Sequence, residues 1–288
     1  MPEPTRPVRA VRMLRVLGAV QILAVVVGGL LLGSRPLPGE PSASPSGAAT
    51  AEPAPSAGPS PSTPASPDAA PLEGVHVVLD PGHNGGNGEA TAEVNALVGD
   101  GRGGRKACNT VGTSTSGGYM EHAFTWDVAR RTQKLLEADG AEVTLTRQDD
   151  ESVGPCVDVR GSTPGEVDAD VLVSVHANGS ENTAAKGYFA IVSAPPLNDA
   201  QGEPSRDLAA HLLAALADGG FTPSGSYAEA LSERADLGTL NWAERPAVIL
   251  ELAEMRNAEE AALVESEEGR QRYAEAIAAG LRTWAAAR

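Results

Sequence analysis

Three short apolar runs recur along the chain, and each ends at a side chain able to bind a ligand. Val75-His76-Val77-Val78-Leu79 leads into Asp80-Pro81-Gly82-His83. Val171-Leu172-Val173-Ser174-Val175 leads into His176-Ala177-Asn178, and Ala247-Val248-Ile249-Leu250 ends in Glu251. Near-continuous apolar runs of this length predict strands buried on both faces. Residues 141–146 and 187–192 are two further strand candidates. Helical periodicity fills the intervals. Over 121–139, Phe124, Val128, Leu135 and Leu136 fall broadly on one face, and Gly140 follows where a left-handed cap residue belongs. Helices are also predicted over 205–218 and 266–287, the latter with Ser266 before Glu267 and Glu268 in a first turn. Strands alternating with helices predict one α/β domain, a mostly parallel twisted sheet flanked by helices. About 215 residues suffice for one substantial core.

The chain before this domain reads differently. Arg6, Arg9, Arg12 and Arg15 mark residues 1–15 as a basic, cytoplasmic N-terminus. Residues 16–33 carry no charge and form a short membrane anchor or a signal sequence. The flank after Leu32 makes a poor cleavage site, which favours the anchor. Residues 34–72 are Pro, Ala, Ser, Gly and Thr-rich with no apolar face, as expected of a disordered linker. The domain is then expected over 73–288, outside the cytoplasm, tethered to the membrane or secreted.

Charge and cysteine content narrow the chemistry. The formal net charge is −16, and beyond Leu72 the chain has 17 basic and 34 acidic residues. Such a surface excludes a nucleic-acid partner, which requires clustered Lys and Arg. The two cysteines, Cys108 and Cys156, are too few for a thiolate zinc site. Outside the cytoplasm a disulfide is the better reading, and two unrelated buried thiols are the alternative. Such a bond would close a loop of about 48 residues, stabilising by about 2–4 kcal/mol.

In open α/β sheets ligands collect at the carboxyl ends of the strands, where His83, His176 and Glu251 all fall. Hydrolytic zinc takes three protein ligands and leaves one position open. His83 and His176 are two candidates. Glu121, opening a helix, is the third, with His122 as its rival; first-turn acids also occur simply because they complement the helix dipole. Glu251 suits a general base, with Glu254 a weaker alternative lying past the strand. His76, mid-strand, and His211, within a helix, read as structural or solvated. The Gly-, Asn-, Ser- and Thr-rich stretch 84–118 lies between His83 and Glu121, and is expected to border the site as a lid or hairpin-like flap.

Leu79-Asp80-Pro81-Gly82-His83, Glu121, Ser174-Val175-His176-Ala177-Asn178 and Val248-Ile249-Leu250-Glu251 together resemble the zinc-dependent N-acetylmuramoyl-L-alanine amidases of the bacterial cell wall, the type 3 amidase family. The resemblance runs from about Val75 to the C-terminus. Arg160 matches a family arginine that precedes the second histidine strand. Gly101-Arg102-Gly103-Gly104, Cys108, Gly112-Thr113-Ser114-Thr115, Gly154-Pro155-Cys156 and Ser193-Ala194-Pro195-Pro196-Leu197-Asn198 are similar to the mycobacterial and actinobacterial branch. The resemblance implies one Zn2+ held by His83, Glu121 and His176, with Glu251 as catalytic acid/base. It also implies a Cys108–Cys156 disulfide, no separate wall-binding module, and peptidoglycan or muropeptides as substrate of a monomeric catalytic domain. Arg102, Arg105, Arg160 and Arg245 are possible contacts for substrate carboxylates, and Asp80 is a candidate to orient a ligand. Two departures stand out. Ala253 replaces a glycine after the last strand, and Gly161, Pro164 and Gly165 interrupt a segment that is helical in the family. The alternative functions are a catalytically impaired peptidoglycan-binding regulator with the same fold, or a zinc peptidase of the stem peptide.

Overall fold

The structure is a computed structural model that describes residues 70–288. The expected basic segment 1–15, the anchor or signal 16–33 and linker residues 34–69 lie outside the described residues. Among the described residues, no helix is long and apolar enough to cross a membrane. Leu72, assigned to the linker by composition, is fully buried, and its N–H donates to the Asp139 carbonyl at 2.9 Å. The packed domain therefore begins slightly before residue 73.

The strands are β1 (His76–Pro81), β2 (Leu97–Gly99), β3 (Arg105–Ala107), β4 (Glu142–Leu145), β5 (Val171–Asn178), β6 (Phe189–Ser193), β7 (Leu231–Arg234) and β8 (Ala247–Glu254). The helices are α1 (Thr91–Val94), α2 (Glu121–Ala138), α3 (Val157–Glu166), α4 (Glu203–Asp218), α5 (Gly238–Asn241), α6 (Ala258–Glu265) and α7 (Glu267–Ala286). Six strands form the main sheet in the order β4-β1-β5-β8-β6-β7. β1 pairs in parallel with β4 and β5, and β5 with β8; β6 runs antiparallel to β8 and parallel to β7. The sheet is mostly parallel, as the alternation predicts.

The chain leaves β1 through α2 to reach the edge strand β4, then returns past β1 through α3 to β5. Right-handed crossovers of opposite direction put α2 and α3 on opposite faces, so a crevice opens at the carboxyl ends of β1 and β5. Helices cover both faces: α7 packs between α2 and α4, and α3 packs on α5. This coverage explains the unbroken apolar runs, for Val77, Val78 and Leu79 are all fully buried, as are Val171, Leu172 and Val173. Tyr273 of α7 joins the layers, stacking on Phe221 and meeting Phe124 of α2 edge-on. Gly140 ends α2 with φ +91°.

Several expectations need correction. β7 was not anticipated, because its Leu-Ser-Glu-Arg sequence on a sheet edge has one buried residue and two exposed ones. β8 continues to Glu254, so Glu251 lies within the strand and Glu254 ends it. α3 is a ten-residue helix despite Pro164, which stands near its C-terminal end. The stretch 84–118 is built of short elements, with an antiparallel β2–β3 hairpin at its centre. The expected disulfide between Cys108 and Cys156 is present (Cα–Cα 4.3 Å) and ties the end of this hairpin to the start of α3.

Candidate metal centre

The pairing of β1 with β5 extends past its last strand residue, for Gly82 N–H donates to the Val175 carbonyl at 3.0 Å. The next residue, His83, adopts φ +61°, a left-handed conformation uncommon outside glycine and a sign of local strain at a functional turn. Gly82 is required by a close approach. A Cβ there would lie 2.3 Å from Cε1 of His176, so only glycine lets the two histidines come together. Their ring centroids are 4.9 Å apart, edge to face.

Glu121 completes the group from the first turn of α2. His83 Nε2 lies 3.1 Å from its Oε1, and His176 Nδ1 lies 3.1 Å from the same oxygen. One ligand atom from each of the three residues falls within 4.8 Å of the others. Glu121 is 4 % exposed, unlike an ordinary dipole-complementing acid. Its Oε2 accepts from Thr113 N–H at 2.9 Å and its Oε1 from Ala177 N–H at 3.1 Å. Burial opposes ionisation of Glu121, but His83 and His176 prevail and hold its pKa well below the usual carboxylate range. Burial likewise opposes a charged His83, and the charge and hydrogen bond of Glu121 outweigh it, raising the ring's pKa.

Two imidazole nitrogens aimed at one carboxylate oxygen can both be satisfied without an ion only if both rings carry a proton there. A divalent cation instead takes a lone pair from each. Two histidines and a glutamate are a donor set suited to zinc in a hydrolase, and the fit is good. His83 is oriented from behind: its Nδ1–H donates to the Thr110 carbonyl at 3.1 Å, which leaves Nε2 facing Glu121. Asn87 Nδ2 donates to the same carbonyl at 2.9 Å. His122, the rival to Glu121, turns away, with Nδ1 at 2.9 Å from both oxygens of Asp150. His76 and His211 meet threonine hydroxyls instead, Thr144 and Thr283.

Strand register brings in the fourth residue. His176 and Glu251 are register partners in adjacent parallel strands, so their side chains leave the same face of the sheet. Both line a cleft of about 450 Å³ with His83 and Glu121, over apolar walls that include Val157, Ile191, Leu237 and Ile249. The Oε2 of Glu251 is buried without a hydrogen-bond partner among the described residues. Burial first, then the charges of Glu121 and Glu254, raise its pKa well above the usual value. A carboxylate whose charge is disfavoured in this way is disposed to take up a proton and to return it. Glu254 is engaged elsewhere, accepting from Asn178 Nδ2 at 2.7 Å and Ser180 N–H at 3.1 Å. A register shift between His176 and Asn178 marks a bulge beside the cleft.

The arginines are distributed otherwise than expected. Arg160 is 2 % exposed and directs its guanidinium inward. It donates to Asp80 Oδ1 at 2.5 Å and to the carbonyls of Pro81 (2.8 Å), His83 (2.6 Å), Gly154 (3.0 Å) and Pro155 (2.9 Å). It secures the turn that presents His83 and leaves no donor for a substrate. Asp80 touches neither imidazole; it anchors Arg160. Arg245 precedes β8 at the opposite end of the sheet and pairs with Asp168, far from any ligand of the cleft. Arg102 binds Asn241, Ser193 and the Pro195 carbonyl, and Arg105 reaches the Leu97 carbonyl. Neither lines the cleft. Lys106 and Arg234 do, and sequence reasoning missed both.

Comparison with known proteins agrees with this geometry. Residues 77–283 match the family model described as N-acetylmuramoyl-L-alanine amidase. The chain is 40 % identical over 214 residues to the N-acetylmuramoyl-L-alanine amidase Rv3717 of Mycobacterium tuberculosis, covering 74 % of this chain and 87 % of that one. The crystal structure of the N-acetylmuramyl-L-alanine amidase Ami1 from Mycobacterium smegmatis superposes with a TM-score of 0.73 at 38 % identity, over 75 % of this chain and 99 % of that one. The apo form of Ami1 from Mycobacterium abscessus gives 0.71 at 40 % identity, over 74 % and 99 %.

Proposed function

Since the chain belongs to the N-acetylmuramoyl-L-alanine amidase family, we propose that it hydrolyses the amide between N-acetylmuramic acid and L-alanine of peptidoglycan with one zinc ion held by His83, Glu121 and His176. It is a peptidoglycan amidase of the mycobacterial type, and its substrate lies outside the cytoplasm. The observation that carries the zinc reading is the convergence of three donors within 4.8 Å, beside a buried carboxylate oxygen on the neighbouring strand that lacks a partner among the described residues.

A zinc ion bound there supplies a Lewis acid for the scissile carbonyl and for the attacking water. Glu251 takes the proton of that water as it attacks, aided by a raised pKa that favours protonation afterwards. It then hands the proton to the departing alanine nitrogen, so the amine leaves neutral. The His83 ring is held through Thr110, Gly82 leaves room for the His176 ring, and Glu121 is fixed by two backbone N–H groups. We read segment 16–33 as a tether that holds a monomeric catalytic domain near the outer membrane face.

The test compares the parent with Glu251→Gln on purified muropeptides at equal zinc, with products identified by mass spectrometry. The amidase reading expects free stem peptide and free sugar from the parent, and release lower by roughly 10²–10⁴-fold from the variant. Fragments cut within the stem would favour a peptidase. Binding without any release by the parent would favour a regulator.

A further inference from the structure

Three cations line the cleft of this acidic domain: Arg160, Lys106 and Arg234. Arg160 is fully engaged by the turn after β1. We propose that the other two form a subsite for a carboxylate of the stem peptide, on the leaving-group side of the scissile amide. The inference rests on the amidase reading.

Asp236 anchors both cations in different ways. Its backbone carbonyl accepts one proton of Lys106 Nζ at 2.6 Å. Its carboxylate accepts the fork of Arg234, Nε at 2.8 Å and Nη2 at 2.6 Å. Two of the three ammonium protons of Lys106 and the Nη1 group of Arg234 have no bond within the described residues. Asp236 is thus the one acid bonded to both cations, on a domain whose acids outnumber its bases two to one. Lys106 is half-buried and lies against Gly238, where a Cβ would stand 3.1 Å from its Cδ. Burial lowers its pKa against the opposing charge of Asp236, with Arg234 adding to the lowering, so an incoming anion would offset part of the cost of burying this ammonium.

The position within the reaction follows from Glu251. In the strand order β5-β8-β6-β7, Glu251 on β8 stands between His176 on β5 and Arg234 on β7, and all three line the cleft, which puts this end of it on the Glu251 side. Glu251 protonates the departing amine, so the chain that leaves on that side is the peptide. The peptide also carries the carboxylates, because the lactyl carboxyl of the sugar is consumed in the amide. Lys106 and Arg234 therefore read the acidic side chains or termini of the stem.

The test uses two sets of muramoyl peptides that differ only in having each stem carboxylate free or converted in turn to its amide. Parent, Lys106→Met, Arg234→Gln and the charge-preserving Lys106→Arg are compared as full chains with zinc. The parent should prefer one free carboxylate in kcat/KM by about tenfold, mainly through KM. Both neutral variants should bring that ratio towards unity, and Lys106→Arg should retain it. Arg234 lies on an exposed edge strand and loses only a surface ion pair, so its variant reports even if Lys106→Met folds poorly. A parent that releases peptide from all substrates without preference would overturn the subsite alone. So would a preference that survives in Arg234→Gln and Lys106→Met. A parent that releases no peptide at all would overturn the amidase reading and the subsite with it.

Discussion

Asp80 in β1 and Glu251 in β8 lie on the two sides of β5, each with a buried carboxylate oxygen, and they behave oppositely. Asp80, next to last in β1, has every oxygen occupied: Arg160 at 2.5 Å, Thr146 Oγ1 at 2.5 Å and Ser174 Oγ at 2.6 Å. Burial alone would raise its pKa, but Arg160 and the two hydroxyls lower it to about 2. Glu251, in β8 on the far side of β5, has an oxygen with no donor and two acidic neighbours, and its pKa is raised well above the usual value. Burial is common to both; the difference lies in the partners. A carboxylate with a complete set of donors is a structural fixture, here holding the arginine that secures the His83 turn. A carboxylate left without them is ready to exchange a proton.

The contrast can be broken by removing each charge in turn. Glu251→Gln should reduce peptide release by roughly 10²–10⁴-fold, the usual worth of a general acid/base. Its melting temperature without metal should stay level or rise, because a charge that folding disfavours has gone. Asp80→Asn should do the reverse and destabilise by about 3–5 kcal/mol, since Arg160 is left buried without its counter-charge. Urea unfolding of the two variants side by side checks both signs.

Acid titration sharpens the same contrast. Asp80 is ionised in the folded chain down to about 2, against an ordinary value of about 3.9 in the unfolded chain. Its contribution, about 2 kcal/mol, is complete above the ordinary value and is lost as pH falls from there through about 2. Asp80→Asn should flatten that part of the stability curve. Activity should follow Glu251 instead. In the proposed mechanism Glu251 must be deprotonated to act, so the acid limb of kcat/KM should lie above the ordinary carboxylate range. The smallest effect is expected from Arg245→Ala, which removes an ion pair at the wrong end of the sheet; kcat/KM should change by less than about twofold.

Much of the rim was legible because β1, β5 and β8 are covered on both faces, and such strands carry their burial in their composition. The residues that follow those runs could then be assigned to one end of the sheet. The edge strand β7 was not legible, since half its side chains meet water and its pattern resembles a loop. Lys106 and Arg234 sit on the β2–β3 hairpin and on that edge strand, and only the tertiary fold brings them to the cleft. Arg245 was misplaced for the complementary reason: it precedes its strand, and the amino end of a strand faces away from the crevice. The role of Arg160 depends on four turn carbonyls, which no side-chain pattern encodes. Asp80 was placed at the right turn, but its partner there is the guanidinium and not an imidazole.

The claim beneath all of this is that His83, Glu121 and His176 share one divalent ion. Elemental analysis of the purified full chain and of a His83→Ala, His176→Ala double variant tests it most directly. The account predicts about one zinc per chain in the parent and a trace in the variant. Equal zinc in both proteins, or none in a parent that still releases stem peptide, would contradict it.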